Sequence, residues 1–118
     1  MAHALTPVAG THHGLANSLM LPTVIQFNRP AAEERLATVA VALGADPRMN
    51  AKERAHACAQ IVDDLRAQCG LPRKLSQAGV KREMIPRIVD KAMADACHQS
   101  NPRPCTQVDF ERIIEEAF

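Results

Sequence analysis

Residues 13–28 read HGLANSLMLPTVIQFN, and this stretch decides the fold class. Its apolar residues cover most of the circumference of the helix that their spacing predicts: Leu15, Leu19, Leu21, Val24, Ile25 and Phe27. A helix that is apolar nearly all round is a buried helix, so we expect it to lie at the centre of the domain. Pro22 should kink this helix or mark its first turns, because proline has no backbone N–H.

Further helices follow this one along the chain. Apolar residues at three- and four-residue spacing predict them over residues 31–43, 51–69, 81–98 and 106–118. Asn50 with Glu53, and Thr106 with Asp109, have the spacing of capping boxes at two of the starts. We therefore predict one all-α domain over residues 1–118, with about five helices packed as a bundle.

Composition favours the same fold class and excludes several functions. Aromatic residues are only 3% of the 118, with no Trp or Tyr, whereas strands are rich in aromatic and β-branched residues. The chain has fourteen basic and thirteen acidic residues, so we expect no basic surface for nucleic acid. No segment approaches the ~20 apolar residues that span a bilayer, and we see no secretion signal.

The four cysteines are Cys58, Cys69, Cys97 and Cys105, and no C-x-x-C pair occurs among them. Cys58 and Cys69 lie on one predicted helix, about 16 Å apart at ~1.5 Å per residue, which is beyond the reach of a disulfide. We expect all four thiols to be reduced and the chain to be cytoplasmic.

Three histidines near the start of the chain are candidates for chemistry: His3, His12 and His13. His3 and His13 would converge if residues 4–12 form a loop, which Pro7 and Gly10 favour. His12 and His13 point about 100° apart on a helix, so they cannot easily share one metal. Spacing alone leaves two interpretations open, a metal or proton-transfer site and a helix start bonded to the backbone.

Other polar residues have equally open interpretations. His56 and His98 are expected to be structural, the second near a helix C-terminus where a cation is favourable. Cys97 is either a small buried residue or the wall of a substrate pocket. Asn101-Pro102-Arg103 is interpreted as a turn, because Asn at a helix end tolerates the left-handed conformation and Pro stops helices. Arg103 is expected to pair with a carboxylate or with nothing. No Gly-rich phosphate loop or serine nucleophile elbow is present.

Several segments together resemble the C-terminal part of the iron-containing alcohol dehydrogenases. They are His3-Ala4-Leu5, His13-Gly14-Leu15-Ala16-Asn17-Ser18, Leu21-Pro22, Gly70-Leu71-Pro72, Gly79-Val80 and Asn101-Pro102-Arg103. The resemblance covers essentially the whole chain in the family's order. It implies an all-α domain that faces an N-terminal α/β domain, with the active site in the cleft between them.

The resemblance also implies roles for individual residues. The family holds Fe²⁺, or sometimes Zn²⁺, with one aspartate and three histidines, and it uses NAD(P). His13 matches the last of these histidine ligands, and His3 matches a histidine beside the metal that helps to move protons. His12 and Cys97 fall at positions that line the substrate pocket in some members.

Departures from the family pattern are equally informative. The aspartate and two of the histidine ligands have no counterpart in the 118 residues, and neither does the Gly-rich cofactor loop. Thr6 stands where members commonly have glycine, and His12 where many have proline. We therefore expect the chain to be the C-terminal portion of a metal-dependent, NAD(P)-linked dehydrogenase of small alcohols or aldehydes, inactive and free of cofactor by itself.

Two classes of partner follow from that expectation. As part of an enzyme, the chain needs an N-terminal cofactor-binding half or a homologue that carries one. The alternative is a non-catalytic helical interaction module or truncated remnant, which would expose an apolar face and dock on a homologue or on a second copy of itself. A nucleic-acid binder or a membrane protein is not expected.

Overall fold

The computed structural model describes residues 1–118 and contains five α-helices and no strands. The helices are α1 (Ala2–Ala9), α2 (His13–Ala42), α3 (Ala51–Gln68), α4 (Ile85–Ala94) and α5 (Gln107–Glu116). Three short 3₁₀ turns lie at Ser76–Ala78, Arg82–Met84 and Ala96–Ser100. None of the helices combines the length and the apolar character needed to cross a bilayer. The all-α class and the number of helices are confirmed.

Helix α2 is the centre of the molecule, as the opening stretch predicts. The two helices expected on either side of residue 29 are one 30-residue helix, which is bent at Ala32 where the backbone leaves helical angles. Pro30 lies two residues before the bend, and its missing N–H removes one hydrogen bond from this part of the helix. The prediction of an all-round buried helix is only partly right, since Leu21 is 46% exposed.

Pro22 does not interrupt α2, and a distant side chain compensates for its missing N–H. In a regular helix the N–H of residue 22 would bond to the carbonyl of Ser18. The guanidinium of Arg66, on α3, donates to that carbonyl at 3.2 Å. Arg66 is buried and also pairs with Asp63, so α3 is fastened to α2 at the proline.

A large core of 16 buried residues packs α1, the first half of α2, α4 and α5 together. Its fully buried members include Leu5, Leu19, Ile88 and Ile114. Apolar spacing predicts inward faces on the last two helices, and these are confirmed at Ile85, Ile88, Val89, Ala92, Phe110, Ile113 and Ile114. The same spacing is wrong at Met93 and Ala96, which are exposed, and Phe118 is only partly buried. These helices form the base on which the histidines near the start of the chain are placed.

The contact between α2 and α3, here called the α2–α3 interface, contains much smaller residues. Its buried cluster consists of Ile25, Ala40, Cys58 and Ala59. The spacing predicts Leu65 on the inner face of α3, but this residue is 50% exposed, because the helix turns its small residues towards α2 instead. Small residues let two helix backbones approach closely, which leaves less apolar area to bury.

Helix starts are the local features that the sequence predicts best. Both predicted capping boxes are present, with Asn50 and Glu53 at α3 and Thr106 and Asp109 at α5 exchanging side-chain and backbone hydrogen bonds. Pro86 lies in the first turn of α4, as expected, where its missing N–H costs nothing.

Two predicted segments are wrong. Residues 4–12 are not a loop, because Ala2–Ala9 forms α1, and Gly10 ends that helix in the left-handed conformation at φ 68°. The fourth helix does not reach His98. It stops at Asp95, whose backbone is extended and whose carboxylate caps the 3₁₀ turn that follows. Asp competes with helix continuation by bonding its own neighbours, which is the physical reason for the break.

Candidate functional site

A glycine turn near the start of the chain brings His3 and His13 together. Gly10 reverses the chain after α1, so that α2 begins at His13 beside the first turn of α1. The rings of His3 and His13 stack with centroids 5.1 Å apart and planes inclined by 21°. The predicted convergence of these two histidines is therefore confirmed, although a helix and a glycine turn produce it.

Asp95 is the third member of the site, and it holds His3. The Nδ1 of His3 lies 2.8 Å from Oδ2 of Asp95, while the other carboxylate oxygen accepts the backbone N–H of Cys97 at 2.9 Å. Hydrogen bonds from the Cys97 backbone, the Cys97 thiol and His3 hold the pKa of Asp95 well below its usual range. Asp95 is therefore an ionised acceptor, so the proton between the two residues belongs to Nδ1 of His3.

Cys97 completes the cluster, and its predicted burial is wrong. The residue is exposed, and its Sγ lies 3.9 Å from Nδ1 of His3. Its hydrogen bond to the Asp95 carboxylate, with the negative charge of that group, raises the pKa of the Cys97 thiol. The sulfur is thus a neutral thiol in the protein as folded. All four cysteines are free, as the sequence predicts.

His12 plays a different part from its neighbour. It is the N-cap of α2, and its Nδ1 accepts the backbone N–H of Gly14 at 3.3 Å. For His12, therefore, the interpretation as a helix start bonded to the backbone describes the structure. It does not line the cavity beside the site, where the resemblance would place it.

An apolar cavity of about 390 Å³ opens next to this cluster. Helix α2 forms one wall, with Met20, Val24 and Phe27, and Asp95 and Cys97 lie at the cavity edge. Because most of the lining is hydrophobic and only a few polar groups reach it, the cavity suits the carbon skeleton of a small molecule. Cys97 thus lies in the wall of this cavity.

The Asn101-Pro102-Arg103 turn reaches the cavity through Asn101. Asn101 is not left-handed, with φ −67°, and its side-chain amide exchanges hydrogen bonds with that of Asn28 at 2.7 and 2.9 Å. Arg103 neither pairs with a carboxylate nor stays free. It stacks on the ring of Phe27 at 4.1 Å and donates to the Phe27 carbonyl, close to the bend at Pro30.

The remaining histidines lie outside the cluster, although His98 lines the cavity. Nε2 of His98 lies 3.1 Å from the carbonyl oxygen of Met93, near the C-terminus of α4, and its ring meets Phe110 edge-on. His56 contacts Arg29 on the surface. Sequence analysis missed the role of Asp95. An aspartate preceding a short Ala-Cys-His segment is a typical cap, and that signal identifies a helix break here.

Comparison with known proteins supports the resemblance over the full chain. The model of the Fe-containing alcohol dehydrogenase family, C-terminal region, matches residues 1–118. Lactaldehyde reductase from Escherichia coli K12 is 32% identical over 119 residues, which cover 100% of this chain and 31% of that protein. The 4-hydroxybutyrate dehydrogenase of Cupriavidus necator is 32% identical, over 92% of this chain and 28% of that protein.

Solved structures give the same result. A crystal structure of 1,3-propanediol oxidoreductase superposes with a TM-score of 0.94 at 29% identity, over 99% of this chain and 31% of that one. An alcohol dehydrogenase from Oenococcus oeni also has a TM-score of 0.94, at 28% identity. The chain therefore spans about a third of the length of its relatives, and it belongs to the Fe-containing alcohol dehydrogenase family, whose C-terminal helical region it matches.

Proposed function

We propose that this chain is the helical, substrate-facing part of an NAD(P)-linked dehydrogenase that interconverts small alcohols and aldehydes by hydride transfer. It would work in the cytoplasm together with an N-terminal cofactor-binding half. The observation that carries the proposal is the stacked His3–His13 pair beside an apolar cavity, in a chain that matches the family throughout.

The donor atoms of these 118 residues do not form the metal site of the family by themselves. One group of three ligating side chains has donor atoms within 4.8 Å of one another, namely His3, Asp95 and Cys97, and His13 is not among them. We assign His13 as a single ligand of Fe²⁺, or of Zn²⁺, whose other ligands come from the rest of the enzyme. Those ligands and NAD(P) are therefore requirements for activity that the chain alone does not meet.

His3 is suited to carry a proton between the site and solvent. Because ionised Asp95 fixes the proton on Nδ1, the neutral ring has its lone pair on Nε2, which can accept a proton. The side chain is 58% exposed, so that a proton taken up there can pass to water. Asp95 would stabilise the imidazolium that forms in between, as a carboxylate does for a catalytic histidine in other enzymes.

The cavity supplies the binding step. Apolar side chains of α2 would pack against the alkyl part of an alcohol, and each buried CH₂ contributes about 0.8 kcal/mol. Cys97 and Asp95, which line the cavity and contact His3, would face the polar end of the substrate. A cavity of this kind favours short, uncharged alcohols over sugars, which would leave their hydroxyl groups without partners.

Reconstitution from two halves tests the proposal. The chain is purified alone and mixed with the N-terminal cofactor domain of a relative such as the lactaldehyde reductase, and both samples are assayed for bound metal and for NAD(P)-dependent alcohol oxidation. We expect bound iron and turnover only in the mixture, and neither in the chain alone. In the mixture, His13→Ala should lose the metal, whereas His3→Ala should keep it and slow turnover by about 10²–10⁴-fold.

His56→Ala is the matched control, because that histidine lies on the surface of α3 away from the cavity. It should change neither metal content nor rate. A mixture that forms a stable complex yet holds no metal and shows no turnover would contradict the proposal and favour the non-catalytic interaction module.

A further inference from the structure

We propose that His3, Asp95 and Cys97 form a binding site for a divalent cation of the zinc type, distinct from the family's iron ligands. The three side chains come from two places in the sequence, the first turn of α1 and the break after α4. Their donor atoms lie within 4.8 Å of one another. The site does not rest on the proposed function. An ion bound here would occupy Nδ1 of His3 and leave the proton on Nε2, so it would block the proton transfer proposed for that residue.

Distances within the cluster are close to those that a tetrahedral zinc ion requires. Zn–N and Zn–O bonds of about 2.1 Å and a Zn–S bond of about 2.3 Å place the N and O donors about 3.4 Å apart and the N and S donors about 3.6 Å apart. The corresponding separations here are 2.8 Å for His3 to Asp95 and 3.9 Å for His3 to Cys97. Small side-chain rotations are therefore enough to admit the ion.

The backbone already holds one of the donors, the Asp95 carboxylate, in place. The Cys97 N–H fixes one oxygen of Asp95 and leaves the other oxygen directed at His3. This bond also sets the short turn that presents Cys97 two residues later on the same side. Since this bond already restrains the Asp95 carboxylate, that side chain has little conformational entropy left to lose on binding.

His13 is excluded from the cluster by its stacking on His3. Its ring plane is inclined by only 21° to that of His3, with the centroids 5.1 Å apart. Ring nitrogens point along the ring plane, so two nearly parallel stacked rings do not direct their lone pairs at one common point. The fourth coordination position is therefore left to water, since the side chains of His3 and Cys97 are open to solvent.

Protons balance simply when the ion binds. The proton on Nδ1 of His3 moves to Nε2, which frees Nδ1 to bind the metal. The Cys97 thiol loses its proton to solvent and binds as thiolate, while Asp95 is already ionised. One nitrogen, one carboxylate oxygen and one thiolate are a donor set that suits zinc, whereas Mg²⁺ and Ca²⁺ prefer oxygen alone.

Titration with Co²⁺, a spectroscopic substitute for zinc, tests the site on the isolated chain under reducing conditions. We expect a thiolate-to-cobalt charge-transfer band at one equivalent, which Zn²⁺ abolishes by displacement and excess Mg²⁺ does not. Cys97→Ser should remove the band. His3→Ala and Asp95→Asn should weaken Zn²⁺ binding by at least about tenfold, since even outer partners of a metal contribute about 10–100-fold.

Two matched variants distinguish this site from cobalt binding at another thiol or at the other histidine. Cys69→Ser removes another exposed, free thiol and should leave the band unchanged. His13→Ala should also leave it unchanged, with circular dichroism confirming that each variant is folded. A band that survives Cys97→Ser, no band in the unaltered chain, or a band lost with His13→Ala would each overturn the proposal, and none of these results would exclude His13 as a ligand in the assembled enzyme.

Discussion

Helix α2 is buried on two sides by two different kinds of contact, the large core and the α2–α3 interface. On the first side the buried cluster has 16 members, most of them from α1, α2, α4 and α5, and more than half of them are leucine, isoleucine or phenylalanine. On the second side, the buried cluster has four members, and Ile25 is the only large aliphatic residue among them. Apolar burial therefore dominates in the large core, whereas the α2–α3 interface also depends on the hydrogen bonds and ion pair of Arg66.

The candidate site lies on the side of the large core. His3 and Asp95 extend from α1 and from the end of α4, which pack directly on that core through Leu5 and Ala92. The cavity is lined from the same side, by residues such as Met20 and Phe110. The α2–α3 interface instead contains the Arg66 contact that replaces the hydrogen bond missing at Pro22.

Matched isoleucine truncations give the largest expected difference between the two sides. Ile114→Ala, in the large core, should lower the free energy of unfolding by about 2–5 kcal/mol, because a fully buried side chain leaves a cavity. Ile61→Ala, which is partly buried against the α2–α3 cluster, should cost about 1 kcal/mol. Urea denaturation followed by circular dichroism measures both.

An equal loss of unfolding free energy in the two variants would contradict this difference between the two sides of α2. It would mean that the α2–α3 interface stabilises the protein as much as the large core does. A loss confined to Ile114→Ala would show that burial in the large core supplies nearly all of the apolar stabilisation.

Two arginine substitutions test the polar contacts between α3 and α2, and we expect them to lower the free energy of unfolding by less. Arg66→Ala removes the donor to the Ser18 carbonyl and the partner of Asp63, both away from free solvent, and should cost about 1–3 kcal/mol. Arg73→Ala removes an arginine 3.6 Å from the same Asp63, but this one is half exposed, so we expect about 0–1 kcal/mol.

The same denaturation experiment measures this pair, and a further variant isolates the cause. Pro22→Ala in the Arg66→Ala background restores an N–H that can bond to the Ser18 carbonyl, so it should recover part of the lost stability. No recovery would show that Arg66 stabilises the protein through Asp63 and packing rather than through the carbonyl freed by the proline.

Local chemistry makes some parts of the fold predictable from the sequence. Capping residues such as Asn50 and Thr106 act within one turn, so their pattern is visible in the sequence itself. The inner face of α3 is less predictable, as Leu65 shows, because apolar spacing cannot reveal that small residues allow a closer approach. Which face of α3 turns inward is decided by its packing against α2.

The site is predictable to a similar extent. The meeting of His3 and His13 follows from the turn at Gly10, even though the sequence patterns do not predict α1. Asp95 cannot be assigned to His3 from the sequence, because the two residues lie 92 positions apart and only the packing of α1 on α4 joins them. The exposure of Cys97 escapes prediction for a related reason, since it follows from the helix break at Asp95.

The capping box of α5 should have the smallest effect on the free energy of unfolding, and this effect should depend on pH. Hydrogen bonds from the Thr106 backbone and hydroxyl lower the pKa of Asp109 from its ordinary 3.8. A carboxyl whose pKa is lower in the folded state contributes stability above the unfolded pKa, and that contribution is lost as pH falls through the folded value. Unfolding free energy should therefore fall below about pH 4, and Asp109→Asn should remove that part of the fall.

Thr106→Ala is the control that assigns this pH dependence to the capping box. It removes the hydroxyl that bonds to Asp109 and should cost about 1 kcal/mol near neutral pH, with a smaller cost in acid. The cap begins the helix that carries Phe110 and Ile114, so its loss acts on the large core and not on the α2–α3 interface. A cost that stays constant across the acid range would show that the threonine stabilises the helix start without involving the Asp109 charge.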